Sequence, residues 1–410
     1  MQLQTNSSLN SLANSVLENN SVADFSAIFF VKSLIFLSYC IIMLIERGGY
    51  MKKLIALIIT LIIACIGILF WNFTSYKQEP LPIQADADFY IVHTNAISSY
   101  RLNGDTIETL KSTKMWISDQ IAWRSAQTVD QRYLIMSEDG IKSFGESLIK
   151  LDFQDATIQR RATRHFSHVT GTDGKYFYTN DYGQLTKFDT NLKEVKAHIF
   201  KEDHFPEQNI NVYKDKIYMT GSIRTSKPGE DWTAKNVVFI FDKDSLELLE
   251  TVEIDQNLST INSQVLGDKL YLPIAAYQED QQNFIRSYDI AVFQLDTLDM
   301  NKINLKTHSP EVIHPLDDQN LLFIEHNNYE HGKLIATIYD TKTGQESLHD
   351  FSQFDVEDSY WISSVKQVDA ERLVITIGDH LLLYNWKTKT VLSQVTTEFE
   401  AISGLWWANN

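Results

Sequence analysis

The chain has 410 residues, 44% of them apolar and 12% aromatic, which is ample for a packed core and excludes wholesale disorder. Its formal charge is −17; four of the 36 basic and three of the 53 acidic residues precede Tyr76, leaving 32 against 50 beyond it. Such a balance repels a phosphate backbone and argues against nucleic-acid binding, and the two cysteines, Cys40 and Cys65, leave the main domain without a disulfide framework or cysteine zinc site.

The chain looks as if it begins twice. Residues 1–50 contain Ala27–Ile45, whose only charge is Lys32, and this run reads as an extra membrane segment. The competing reading is translated upstream sequence, because Glu46-Arg47-Gly48-Gly49-Tyr50-Met51 can be encoded by a stretch holding a ribosome-binding sequence just before an ATG. Residues 51–74 then start again with Met51-Lys52-Lys53. Leu54 to Trp71 follows as eighteen residues without a charge, enough to cross a bilayer as a helix. The lysines ahead of it predict a single-pass anchor in the cell membrane, with the large C-terminal part extracytoplasmic. A lipoprotein, from Ile62-Ile63-Ala64-Cys65, and a cleaved signal peptide compete with that reading. Residues 75–84, with Pro80 and Pro82, read as a polar stalk.

From 85 to 410 the sequence becomes short β-type runs separated by turn residues. One unit recurs: "HVTGTDGKYFYTNDYGQLTKFDTNLKEVKAHIF", "NVYKDKIYMTGS…NVVFIFDKDSLELLETVEI" and "SQVLGDKLYLPIAA…DIAVFQLDTLDMNKINL", with two further units after them and two degenerate ones before. Tyr176, Tyr178, Leu185, Phe188 and Leu192 mark its buried side. Asp-rich turns at Asp189, Asp242 and Asp340 separate the third and fourth strands. Self-similarity at this period predicts an all-β, seven-bladed β-propeller. The first unit lacks an opening strand, and "EFEAISGLWW" at the C-terminus is expected to join the first blade and close the ring.

"KYFYTN" (Lys175–Asn180) and "YIVHTN" (Tyr90–Asn95) resemble the Tyr-Val-Thr-Asn motif of the YVTN and PQQ-like extracytoplasmic bacterial propellers. The resemblance implies the fold over most of 85–410, on two blades, and carries no catalytic constellation with it.

Blades four, five and six lengthen the loop between their second and third strands, at 221–236, 275–289 and 326–333. One loop type on adjacent blades predicts one rim, carrying Arg224, Asp231, Trp232, Tyr277, Glu279, Arg286, Tyr329 and His331. The bland alternative is tolerated loop growth. A second cluster, "RRATRHFSHVT", puts Arg160, Arg161, Arg164, His165 and His168 on the crossing into blade three, where Arg164, His165 and His168 would face the channel mouth. Its alternative is an outer strand whose arginines pair with carboxylates. Trp123, Trp361, Trp406 and Trp407 lie on or beside inner strands and read as packing. His326 and His331 flank Glu330 at a spacing unlike a zinc motif, so no metal is assigned. No serine elbow and no phosphate-binding glycine loop occurs, and no cofactor is implied. The expected function is a non-enzymatic, membrane-anchored binding or scaffold module for an envelope or membrane protein or a small ligand. A hydrolase or lactonase-like enzyme at the channel mouth is the alternative.

Overall fold

The computed structural model describes residues 77–410 except 118–126, 130–131, 141–144, 164–166, 168, 182, 226–232, 255–257, 260–261, 279–282, 317–319, 355–360, 398–401 and 409–410; before them it describes only residues 49, 57, 59 and 61. Residues 1–75 and 76–410 form two units, and the described strands belong to the second. The segments read as Ala27–Ile45 and Leu54–Trp71 membrane spans therefore lie outside the described residues, apart from those three helical positions. Among the described residues no helix is long and apolar enough to cross a membrane.

Apolar runs bounded by turn residues make strands, and here the strands form seven antiparallel blades. Blade three shows the pattern: Val169–Thr172, Phe177–Asp181, Gln184–Phe188 and Glu194–Ile199, paired in that order. Blade four follows at His204–Tyr213, Lys216–Thr225, Thr233–Asp242 and Leu248–Glu253. Blade five uses Gln264–Leu266, Lys269–Pro273, Asp289–Gln294 and Met300–Asn304, and blade six Pro310–Pro315, Leu321–His326, Ile335–Asp340 and Glu346–Asp350. Blade seven runs Ile362–Gln367, Arg372–Ile377, His380–Asn385 and Thr390–Thr396. Blade two takes Gln127–Val129, Tyr133–Gly140, Gly145–Asp152 and Thr157–Ala162. In blade one the innermost strand is Ile402–Trp407, paired with Phe89–His93, and Ala96–Asn103 and Thr106–Lys114 follow.

The second strand of each blade carries adjacent apolar residues because both its faces are covered. Successive side chains point opposite ways, so neighbouring residues serve different interfaces. Phe177 joins the core between blades two and three, whereas Tyr178 joins the core between three and four. Ile217 and Met219 face blade three while Tyr218 faces blade five. Leu322 and Ile324 pack toward blade five, Leu321 and Phe323 toward blade seven. Further clusters join blades one and two and blades seven and one. The single buried side expected from Tyr176, Tyr178, Leu185, Phe188 and Leu192 is thus two: Leu185 faces blade four, Phe188 and Leu192 face blade two, and Tyr176 is half-buried.

Two buried lysines span adjacent blades from equivalent third-strand positions. Lys150 of blade two donates to the carbonyl of Thr190 in blade three. Lys187 of blade three reaches Lys243 O at 3.0 Å and Asp244 Oδ1 at 3.1 Å in blade four, with its ammonium 4.0 Å from the Tyr176 ring centre. Burial lowers the pKa of Lys150.

The turns between third and fourth strands share one device. Oδ1 of Asp242 accepts from the amides of Asp244 (3.1 Å) and Ser245 (2.6 Å), and Asp340 does the same for Lys342 and Thr343. The residue closing each turn takes a left-handed conformation: Leu246 at φ 55, Gly344 at φ 70, Lys389 at φ 59. At Leu246 the strained backbone aims a fully buried side chain into the core between blades three and four.

One expectation is corrected. Lys77–Pro80, read as stalk, instead forms a fifth strand on the outer edge of blade two, with Lys77 opposite Arg160 and Pro80 opposite Thr157. An edge is where a proline, having no N–H to give, is tolerated in a sheet.

Candidate functional site

The three insertions leave their blades between the second and third strands, so they rise at the same ends of adjacent blades. In blade four the two strands lengthen into a ribbon, Thr225 opposite Thr233 at its last described pair. Asp231 and Trp232 lie outside the described residues. Arg224 sits opposite Ala234 and folds back on its own blade: its guanidinium carbon is 4.4 Å from the centre of the Phe205 ring, and Nε donates to Ser222 Oγ at 3.2 Å.

In blade five the insertion makes a sheet of its own. Ala276–Gln278 pairs on one side with Leu258–Ser259, from the crossing between blades four and five, and on the other with Phe284–Arg286. Tyr277 is a strut inside this sheet. Its hydroxyl donates to Asp289 Oδ2 at 2.6 Å and accepts from Lys302 Nζ at 2.9 Å, while Asn304 Nδ2 donates to Asp289 Oδ1. Burial raises the Tyr277 pKa, and the bond to Asp289 adds to it. Glu279 lies outside the described residues. The exposed apolar side chains of this insertion are Phe284, Ile285 and Tyr288, at 59%, 52% and 43%.

In blade six the insertion is one helical turn, Asn328–His331. Asn327 caps it by accepting from the Glu330 amide, and Gly332 ends it at φ 61 in the left-handed region. Tyr329 stands 81% exposed at its outer side. Arg286 Nε donates to Glu330 Oε2 at 2.6 Å, joining the blade-five insertion to this turn.

Beneath that ion pair the crossing between blades five and six is laced to both insertions. Ser309 is held left-handed at φ 55, its amide donating to Ser287 O at 2.6 Å and its carbonyl accepting from the Asn327 amide at 2.9 Å. The carbonyl of His308 accepts twice, from His326 Nδ1 at 2.8 Å and from His331 Nε2 at 3.0 Å. That fixes the hydrogen of His326 on Nδ1 and leaves Nε2 to accept from Thr337 Oγ1 at 2.8 Å. Burial pushes the His326 pKa down to about 4. With both nitrogens engaged, His326 has no lone pair for a cation. Glu325 points elsewhere, accepting from the Ile362 amide at 3.2 Å. Among the described residues no group of three or more metal-ligating side chains forms a site.

Of the eight rim residues expected from sequence, Arg286, Tyr329 and His331 come together around Glu330, while Arg224 and Tyr277 are absorbed into their own blades. Sequence reasoning missed Phe284, Ile285, Tyr288 and His308. The adjacent Phe284-Ile285 inside the polar stretch "QEDQQNFIRSYD" was the available signal.

The channel-mouth residues Arg164, His165 and His168 lie outside the described residues. Arg160, from the same cluster, is buried, and its guanidinium donates to the carbonyls of Ile117 and Trp116, with its carbon 4.3 Å from the centre of the Trp116 ring. Both of these carbonyls belong to the crossing between blades one and two. Trp406 stacks on Phe153 at 4.0 Å and Trp407 on Phe89 at 4.9 Å, as packing residues do; Trp361 is about half exposed, and Trp123 lies outside the described residues.

These blades and their insertions define a seven-bladed β-propeller with an elaborated rim. Among solved structures the fold is similar to KlAtg21 in its complex with the coiled coil of AgAtg16, at TM-score 0.52 and 11% identity, covering 78% of this chain and 100% of that one. It is also similar to Hsv2 of Kluyveromyces lactis, at TM-score 0.46 and 11% identity, covering 80% of this chain and 100% of that one. No protein-family model and no curated protein matches the chain.

Proposed function

We propose that this chain is a non-enzymatic binding propeller whose rim on blades four to six captures an envelope or membrane protein. The observation that carries the reading is the exposure of Phe284, Ile285, Tyr288 and Tyr329 on two adjacent insertions that Arg286 and Glu330 pin together. Large apolar and aromatic side chains held rigidly at a surface are what dominate protein interface energetics. KlAtg21, of similar fold, is seen with a coiled-coil protein partner, which is in keeping with a propeller used as a docking platform.

In this reading Leu54–Trp71 is the membrane anchor and the propeller stands on the extracytoplasmic side, as in the YVTN-like propellers it resembles. The charge-free run after Lys52 and Lys53 supports it, as do Leu57, Ile59 and Leu61, helical and with apolar side chains exposed. A chain lacking residues 1–74 should then leave the membrane fraction. The test of the rim is capture of the partner after cross-linking in cells. Replacing Phe284, Tyr288 and Tyr329 together with alanine should abolish capture without lowering the melting temperature. Capture that survives the triple substitution overturns the assignment.

A further inference from the structure

Among the described residues, Phe284–Arg286 is an edge strand: one side pairs with Ala276–Gln278, and no strand pairs with the other. All three of its residues are exposed. Exposed edges invite pairing with another chain, and proteins guard them with charge or cover. Outer strands of four blades show such guards: Glu194 and Lys196 flank Val195 in blade three, Glu250 follows Leu249 in blade four, Lys302 lies in the outer strand of blade five, and Lys77–Pro80 covers blade two. Phe284 and Ile285 are adjacent, and the charge that follows them, Arg286, is engaged by Glu330 rather than left to face an incoming chain. Because successive side chains alternate, one stands on each face of the hairpin, so an added strand meets an apolar neighbour on both of its faces.

We propose that the partner supplies an extended segment that adds as a strand to the Phe284–Arg286 edge, and that this segment is basic as well as apolar. This rests on the rim reading and names the chemistry of what the rim takes. The edge is preorganised: Tyr277 ties the hairpin to Asp289 and Lys302, and Arg286 ties it to Glu330 across the blade junction, so little ordering is lost on pairing. Charge decides the sign. The chain beyond Tyr76 carries 32 basic against 50 acidic residues, which attracts a basic segment. Arg286, the one charge in the edge strand, is matched by Glu330 at 2.6 Å and does not oppose it.

The test uses the full chain in detergent and the peptide acetyl-Lys-Val-Lys-Val-Lys-Val-amide, followed by fluorescence anisotropy and hydrogen exchange. The peptide should bind saturably and slow exchange at residues 284–286. Methylating alternate backbone nitrogens of the peptide, which removes strand pairing and keeps charge and side chains, should weaken binding at least about tenfold. An Ile285→Lys chain, whose edge is guarded, should lose binding while keeping its melting temperature. Equal binding of the methylated peptide, protection at another edge, or no binding up to millimolar peptide each overturns strand addition. If that happens while capture of the cellular partner still depends on Phe284, Tyr288 and Tyr329, the rim stands and strand addition is rejected. Capture independent of those three residues rejects the rim itself.

Discussion

The imidazole rings of His308 and His331 lie stacked at the junction of blades five and six, their centres 4.0 Å apart and their planes within 15° of parallel. The stack is possible because His331 Nε2 donates to the His308 carbonyl, which brings the helical turn of blade six down onto the crossing. Burial, then His331 and Arg286, lower the proton affinity of His308, and Glu330 partly offsets them. The turn that presents Tyr329 is therefore held down on an imidazole, that of His308, whose surroundings disfavour its charged form.

Acid should destabilise the propeller before its carboxylates titrate. His326 and His349 are both buried, with pKa values pushed down to about 4 against an ordinary 6.5. Their folded values lie below the unfolded one, so the unfolded chain binds more protons between the two. Stability is complete above the unfolded value and falls as pH drops from 6.5 toward 4, by about 3 kcal/mol for each group. Urea midpoints across that window should fall, and His349→Asn should flatten the slope. A midpoint unchanged from pH 7 to pH 4.5 would contradict this.

Arg286→Ala should leave the global melting temperature nearly unchanged. The pair with Glu330 is exposed, at 57% and 44% for the two side chains, and surface pairs contribute only about 0–1 kcal/mol. Its effect is local: hydrogen exchange over 284–286 and 328–331 should quicken, and partner capture should fall. Differential scanning calorimetry beside exchange mass spectrometry separates the two.

Gly221→Ala should be severely destabilising. A Cβ there would lie 2.1 Å from the carbonyl oxygen of Phe205 and 2.6 Å from the Cα of Pro206, both backbone atoms that cannot swing aside. The expected loss is roughly 3 kcal/mol. Gly183→Ala, where nothing lies within 4 Å, should stay within about 0.5 kcal/mol of the parent in denaturant unfolding.

Lys187→Met should cost about 1–3 kcal/mol although it makes a buried position more apolar. It removes the donor that the carbonyl of Lys243 and the carboxylate of Asp244 share across the interface of blades three and four. Stability close to that of the parent would show that those groups find water instead.

The blades were legible in the sequence because their turns are local. Asp189, Asp242 and Asp340 bond amides within a few residues of themselves, so the signal travels with the segment. The lengths of the three insertions were legible for the same reason. What their side chains do was not. Tyr277 and Arg224 look alike on paper as exposed anchors, yet Asp289 and Lys302 draw one inward and Phe205 receives the other. His308 carries no motif, and its place depends on the left-handed Ser309, on the Ser287 carbonyl of blade five and on the Asn327 amide of blade six. The outer strand at Lys77–Pro80 was hidden because its partner, Thr157–Arg160, lies about eighty residues further along.

The most direct measurement of the central claim is photo-cross-linking in living cells from single positions on the two ends of the blades. A cross-linker at Tyr329 or Tyr288 reports on the rim, and one at Lys342, in the turn between the third and fourth strands of blade six, reports on the opposite end. A discrete adduct from Tyr329 and Tyr288 with none from Lys342 is the predicted result. An adduct from Lys342 alone, or none from any of the three, would contradict a binding rim on blades four to six.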